Sequence, residues 1–119
     1  GRLIRRCKLW DSEGVVVHAL IAWFPHLHGQ QVEITATFAN TSYVPYTYFI
    51  CRAASPRYLD VDMGASTGTT LLPRQHDSLS WTISISNPQF GHKPMKLQLR
   101  VELQERGSGS VRTLSIPVP

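Results

Sequence analysis

The sequence predicts an all-β fold, an immunoglobulin-like antiparallel β-sandwich of seven to eight strands. Three segments alternate between apolar and polar residues, the pattern of strands that pack on one side only. Clusters of Gly, Pro, Asn and Ser separate the apolar segments at short intervals. The chain has 119 residues, enough for one hydrophobic core and too few for two. Many short strands in a domain of this length are typical of such a sandwich.

The alternating segments place their apolar side chains on one face and their polar side chains on the other. The apolar positions are Val32, Ile34, Ala36 and Phe38 in residues 31–40, Leu79, Trp81, Ile83 and Ile85 in residues 79–87, and Met95, Leu97, Leu99, Val101 and Leu103 in residues 95–104. The alternation of the last segment fixes which residues of that strand meet solvent, because a shift by one residue would exchange its two faces.

The remaining strands are predicted from β-branched and aromatic content between turn residues. Residues 13–24 are apolar on both faces, and their valines with the flanking Gly14 and Pro25 favour a central strand over a buried helix. Further strands are expected at residues 46–52, 57–63 and 110–116. Residues 1–12 are interpreted as a lead-in segment and residues 13–119 as the domain.

The charge pattern narrows the classes of partner. Twelve Lys and Arg residues against eight Asp and Glu residues give a net charge of +4, which favours acidic partners. The basic residues are scattered and do not interleave with exposed aromatics, so nucleic acid is not expected. No apolar run has the length of a membrane span, and no signal-peptide pattern is present.

No set of residues predicts catalysis, a metal site or a cofactor. His76, Asp77 and Ser78 are sequence neighbours, so an extended chain points them in alternating directions. His26 and His28 could share one face of a strand and bind a metal, but a third ligand would have to come from elsewhere. The position of this pair between Pro25 and Gly29 makes a turn the simpler interpretation.

Two further features leave alternatives open. Cys7 and Cys51 have no metal-binding spacing, and two free thiols in a reducing compartment are favoured over one disulfide. Asn40-Thr41-Ser42 fits a glycosylation sequon but is interpreted as a polar turn, because no secretory signal accompanies it.

Four segments carry a resemblance to a known family. Residues 49–57, Phe-Ile-Cys-Arg-Ala-Ala-Ser-Pro-Arg, resemble the "F-V-F-Q-A-A-V-P-K" segment of the clathrin-adaptor gamma-ear family. Residues 32–41 resemble its strand leading into an "N-T/S" turn, and residues 71–73 with 79–85 resemble its "V-P" loop and next strand. Asn87-Pro88-Gln89 matches its "N-P-Q" turn. The four segments occur in the family's order and cover roughly residues 13–105.

The resemblance implies a non-enzymatic recruitment module of a clathrin adaptor without a cofactor. Such ears are eight-stranded sandwiches that bind short peptides of accessory proteins, with an acidic residue, a Phe and a second bulky apolar residue. We therefore expect a monomeric cytoplasmic domain, peripheral at the trans-Golgi network, endosomes or clathrin-coated vesicles. Contact with the membrane would be indirect, through the parent adaptor.

The resemblance also implies a peptide-binding groove, carried over position by position. Its residues would be Ala54, Arg57, Met63, Lys96, Gln98 and Arg100. Small Ala54 would let the peptide approach, the stem of Arg57 would line an apolar pocket, and Met63 would form the pocket floor. The family has basic residues at three alternate positions, which fall on Lys96, Gln98 and Arg100 if a short insertion lies near Gly91 and His92; a register shifted by two residues is the alternative. Neutral Gln98 is then a departure that weakens or changes the hold on the acidic anchor.

Three rivals remain at the level of sequence. The first is a non-adaptor immunoglobulin-like structural or adhesion module in which Cys7 is bonded to Cys51. The second is a metal-dependent activity that uses His26 and His28. The third treats the basic segment from Arg2 to Lys8 as a contact for anionic lipid.

Overall fold

The computed structural model describes residues 3–26, 29–88, 97–105 and 108–118, and its regular elements in these ranges are all β-strands. In chain order they are β1 (Leu3–Ser12), β2 (Val15–His26), β3 (Gly29–Asn40), β4 (Tyr46–Ala54), β5 (Asp60–Ser66), β6 (Gln75–Asn87), β7 (Leu97–Glu105) and β8 (Val111–Val118). The described residues contain no helix long and apolar enough to span a membrane.

The strands form two antiparallel sheets packed face to face. The larger sheet has the order β1-β2-β3-β6-β5 and the smaller has the order β4-β7-β8. Their apolar faces meet in one core, where Phe38 of β3 and Phe49 of β4 pack edge to face with ring centroids 4.9 Å apart. Both rings are fully buried. The predicted β-sandwich is confirmed, with eight strands among the described residues.

The segment interpreted as a lead-in is part of the sheet. Leu3–Ser12 forms the edge strand β1 and pairs with β2. The two strands are joined at Glu13 and Gly14, whose φ angles of 54° and 80° suit the tight turn of a right-twisted hairpin. The alternation of β1 is hidden in the sequence because a register shift between Lys8 and Trp10 breaks its period.

The strand predicted from apolar residues 13–24 is confirmed as β2. It lies between β1 and β3, and its inward residues, including Val17 and Ile21, are buried in the core. Its outward residues are apolar except for the exposed His18, and Leu20 is 41% exposed on the outer face of the larger sheet.

The strand predicted at residues 57–63 begins later than expected. Arg57 and Tyr58 lie in a turn, and β5 starts at Asp60. The Leu59 N–H donates to the Pro56 carbonyl at 3.2 Å, which closes this turn. Pro56 has no N–H to donate to a ladder, so β4 ends before it.

The sequon is a buried structural turn. Asn40 is 1% exposed, and its Nδ2 donates to the carbonyls of Val44 at 2.7 Å and Leu71 at 3.1 Å. Its Oδ1 accepts from the Ser42 N–H at 2.9 Å and from the Ser42 hydroxyl at 2.6 Å. Because both ends of the amide are occupied inside the fold, this side chain is a tie between segments and not an acceptor for glycan.

Candidate functional site

The strands β4 and β5 are the edge strands of the two sheets on the same side of the sandwich. β4 pairs with β7 and β5 pairs with β6, each on one side only. Tyr46 and Leu71 exchange backbone hydrogen bonds of 3.1 Å and 2.8 Å, and the Phe49 N–H donates to the Thr69 carbonyl at 2.9 Å. We call this region, residues 46–49 with 69–71, the closed end.

The partners of β4 at the closed end belong to the segment between β5 and β6, and this pairing does not continue along the rest of β4. Residues 50–54 of β4 and 60–63 of β5 form no ladder with each other within the described part of the chain. We call these two stretches the open end. Unpaired edges of this kind present backbone donors and acceptors that an extended peptide can use.

The outer face of the smaller sheet brings together three predicted site residues. Ala54 lies directly opposite Gln98 in the register of β4 and β7. Arg100 follows two residues later on the same face and is exposed, while Leu97, Leu99 and Val101 point into the core. The face predicted to be polar from the alternation of this strand is therefore polar in the structure.

Arg52 is a basic residue of this face that the site prediction missed. It lies directly opposite Arg100 and is exposed. Neither guanidinium forms a salt bridge with a described residue. The alternation of β4 already placed Arg52 on the face of Ala54, and that was the available signal. Its partner could not be known without the pairing of β4 with β7.

Met63 lies on the other sheet. It pairs with Ile83 of β6, points inward and is half-buried against the core. Ala53 of β4 is half-buried on the facing sheet, so small and flexible apolar side chains border the open end. The next residue, Gly64, lies so close to β6 that an added Cβ would meet the Thr82 carbonyl oxygen at 2.8 Å. Glycine is therefore required for β5 to approach β6 directly after Met63.

Arg57 and Lys96 complete the predicted set. Arg57 is exposed in the turn that links the two edge strands. Lys96 lies outside the described residues. The predicted residues thus do not form one flat patch: Ala54, Gln98 and Arg100 share the outer face, Met63 faces the interior from the opposite edge, and Arg57 lies on the connection between them.

Three cavities of the described surface, of about 340, 550 and 620 Å³, are lined by residues other than the predicted ones. One of about 340 Å³ is on the outer face of the larger sheet and is lined by Phe24, Glu33, Asp60 and Asp62 among others. A second, of about 620 Å³, lies over β2 beside Arg6 and Lys8. Depth alone does not identify the site, because a peptide that extends a sheet edge needs little concavity.

The described residues give no support for a metal site. No group of three His, Cys, Asp or Glu side chains within them is placed to hold a metal ion. His28 and the side chain of His26 are outside the described part, so the predicted pair itself is not placed.

The two cysteines lie at opposite edges of the sandwich. Cys7 is on β1, which contacts β8, and Cys51 is on β4, which neighbours β5. Both are free thiols. Burial raises the pKa of the Cys51 thiol to about 12, because the interior disfavours the thiolate. The disulfide of the first rival is therefore not formed in this fold.

Comparison with known proteins identifies the family. The sequence profile described as "Adaptin C-terminal domain" matches residues 6–117. "AP-1 complex subunit gamma" of Dictyostelium discoideum is 29% identical over 86 residues, which are 72% of this chain and 10% of the relative. "AP-1 complex subunit gamma-like 2" of Homo sapiens is 31% identical over 94 residues, 79% of this chain and 12% of the relative. The chain thus spans about a tenth of the length of these relatives.

Solved structures share the fold. The GAE domain of yeast GGA1 superposes with a TM-score of 0.75 at 18% identity, covering 97% of this chain and all of that domain. The GAE domain of GGA2p from Saccharomyces cerevisiae gives 0.73 at 15% identity, with 97% of each chain covered. The expected resemblance is confirmed, and the alternative of a non-adaptor immunoglobulin-like module is set aside. The chain belongs to the adaptin C-terminal domain family, the ear domains of clathrin adaptors.

Proposed function

We propose that this domain is a non-catalytic recruitment module of a clathrin adaptor that binds short acidic-phenylalanine peptides of accessory proteins during vesicle traffic. The convergence of two distant segments carries this proposal. Ala54 of β4 and Gln98 and Arg100 of β7 meet on one accessible face, beside an edge that has no strand partner among the described residues. The gamma subunits of AP-1 complexes among its relatives support the trafficking context.

The peptide would lie along the open end as an extended segment. Its backbone would bond the free edge of β4, and its Phe would enter the gap between the sheets that Ala53 and Met63 border. Met63 would adapt to the ring, because its unbranched side chain fills irregular space. The acidic residue would face the cationic outer face, and the exposed Arg57 would stand at the rim.

We expect weak binding by each motif. A shallow site with two apolar anchors and one charge resembles transient signalling contacts, for which dissociation constants are about 1 μM or weaker. Several motifs in one accessory protein would raise the overall affinity through effective concentration. Recruitment by this domain would then depend on the number of motifs rather than on the strength of one.

The cellular setting follows from the same proposal. The domain would act as a monomer in the cytoplasm, peripheral at the trans-Golgi network, endosomes or clathrin-coated vesicles. It would meet the membrane only through the parent adaptor. An anionic-lipid contact of the basic N-terminal segment is the competing account of the charge, and vesicle binding that is lost in an Arg5→Glu/Arg6→Glu variant would favour it.

A two-dimensional NMR titration tests the binding proposal. The isotopically labelled domain is titrated with a peptide of the form acidic-Phe-x-x-Phe, and the same peptide is added to Arg57→Glu and Met63→Asp variants. Chemical-shift changes should cluster at residues 52–63 and 98–100. The affinity for the peptide should fall at least about tenfold in both variants, since each loses a contact at the rim or on the floor of the groove.

The matched control is Arg74→Glu. Arg74 is also exposed, but it contacts the Tyr43 ring near the closed end. The Arg74→Glu variant should therefore bind the peptide with the affinity of the unmodified domain. An unchanged spectrum at millimolar peptide, or equal loss of binding in the Arg74 variant, would overturn the proposal.

A further inference from the structure

The arginine pair of the smaller sheet is an arrangement that the fold does not require. Arg52 and Arg100 are directly opposite each other across β4 and β7. Side chains in such positions have Cβ atoms about 5 Å apart, and like charges there destabilise the sheet. Both residues point to solvent, so neither contributes to the core. The pair therefore destabilises the sheet without contributing to core packing, which indicates that it serves to bind a ligand.

No carboxylate of the described residues neutralises the pair. Glu102 lies on the same outer face two residues beyond Arg100, opposite Ile50, and forms no salt bridge with either arginine. The two salt bridges of the described residues are Lys8 with Asp11 and Arg112 with Glu105. The two guanidinium groups therefore keep their donors available for an external anion.

We propose that Arg52 and Arg100 together bind a dianionic group, the phosphate of a phosphorylated Ser or Thr next to the phenylalanine of the docked peptide. This inference rests on the proposed function, since it names the chemistry that the outer face of the same site recognises. A guanidinium offers a planar fork of donors that matches phosphate oxygens. Two facing guanidinium groups match a phosphate with a charge of about −2 better than they match a single carboxylate.

The position of the pair agrees with the neighbouring residues. The pair adjoins Ala54 and Gln98 on the outer face, and small Ala54 leaves room for the peptide backbone. Gln98 and Ala54 are neutral, so the positive charge of the described residues in this part of the face is concentrated at Arg52 and Arg100.

A phosphopeptide fits this face better than a membrane does. An anionic lipid surface attracts several basic residues that share one plane. Among its described residues this outer face carries two arginines, one exposed carboxylate at Glu102, and otherwise neutral residues such as Gln98, Thr113 and Ser115. Within this described part of the face, two facing cations make a point site for one anion.

The test compares three peptides that differ at one position. Each carries Phe-x-x-Phe, preceded by Ser, Asp or phosphoserine, and affinities are measured by fluorescence anisotropy at fixed ionic strength. We expect the phosphoserine peptide to bind about tenfold more tightly than the Asp peptide, from its added charge-assisted hydrogen bonds. Arg52→Gln and Arg100→Gln should each abolish that preference, and Arg74→Gln should retain it.

The outcomes separate this inference from the proposed function. If none of the peptides binds, the proposed function fails and the inference fails with it. If Asp and phosphoserine peptides bind equally, or if Arg52→Gln keeps the preference, the inference fails while the proposed function stands. Vesicles containing phosphoinositide are the second probe: binding that depends on Arg52, without a preference for the phosphopeptide, would assign the pair to lipid and overturn the inference.

Discussion

The closed end and the open end of the β4–β5 side are built in opposite ways. At the closed end, backbone hydrogen bonds of 2.8–3.1 Å join Tyr46 to Leu71 and Phe49 to Thr69. The buried amide of Asn40 adds a bond to the Leu71 carbonyl. At the open end, Ala54 and Met63 stand on strands that form no ladder with each other. The chain therefore fastens its two sheets at one end and leaves two free edges at the other.

The difference separates residues that hold the fold from residues that meet a partner. At the closed end, Tyr46, Phe49 and Leu71 are buried, so their substitution should lower the free energy of unfolding. Open-end side chains other than the buried Cys51 are exposed or half-buried, so their substitution should alter binding with little effect on stability. The following experiments test whether stabilising residues and binding residues are separated in this way.

The largest effect is expected for Phe49→Ala at the closed end. The variant loses a fully buried ring and its edge-to-face contact with Phe38, so the free energy of unfolding should fall by about 3–5 kcal/mol. Urea denaturation measures it. The neighbouring Tyr48, which is 71% exposed, supplies the control: Tyr48→Ala should change the midpoint little. Equal losses in the two variants would contradict the division.

The next effect is expected for Asn40→Ala. The variant removes the amide that donates to the carbonyls of Val44 and Leu71. The free energy of unfolding should therefore fall by about 2–3 kcal/mol. Thermal and urea unfolding should agree on this loss. Thr41→Ala is the control, because Thr41 is exposed and its own contacts are through the backbone. A loss below about 0.5 kcal/mol for Asn40→Ala would show that the tie is dispensable.

A pH-dependent effect is expected from Cys51. Its pKa is about 12 when folded against 9.0 for the free group, so above pH 9 the unfolded chain releases a proton that the folded chain retains. Stability should therefore fall as pH rises, by about 1 kcal/mol at pH 10 from this thiol. The measurement is the difference in unfolding free energy between the unmodified domain and Cys51→Ala at pH 8 and pH 10. A pH-independent difference would refute the assignment.

The smallest effect is expected for Arg52→Gln at the open end. Removing one of two facing charges should leave stability unchanged or raise it by about 0.5 kcal/mol or less, more at low salt than at high salt. Paired denaturation curves at two salt concentrations measure it. A clear loss of stability would mean that Arg52 supports the fold, which would remove the physical reason for assigning the pair to a ligand.

The sequence predicts the alternating faces of single strands but does not predict which residues contact each other between strands. Residues 97–103 fixed their buried and exposed faces by their own period. Edge strand β1 does not show in the sequence because the register shift at Lys8–Trp10 breaks its pattern, and the turn at Arg57 resembles the start of a strand because Tyr and Leu follow it. The opposition of Arg52 to Arg100 depends on long-range pairing, which local periodicity does not contain.

The alternation of β7 and β4 has a consequence for how such domains diverge. Core residues and outward residues take turns along each strand, so Arg52, Gln98 and Arg100 can change while Leu99 and Val101 keep the sheets together. Substitutions on the two faces should act almost independently. A lineage can therefore move one positive charge between neighbouring positions and acquire a new recognition preference without passing through a poorly folded ancestor.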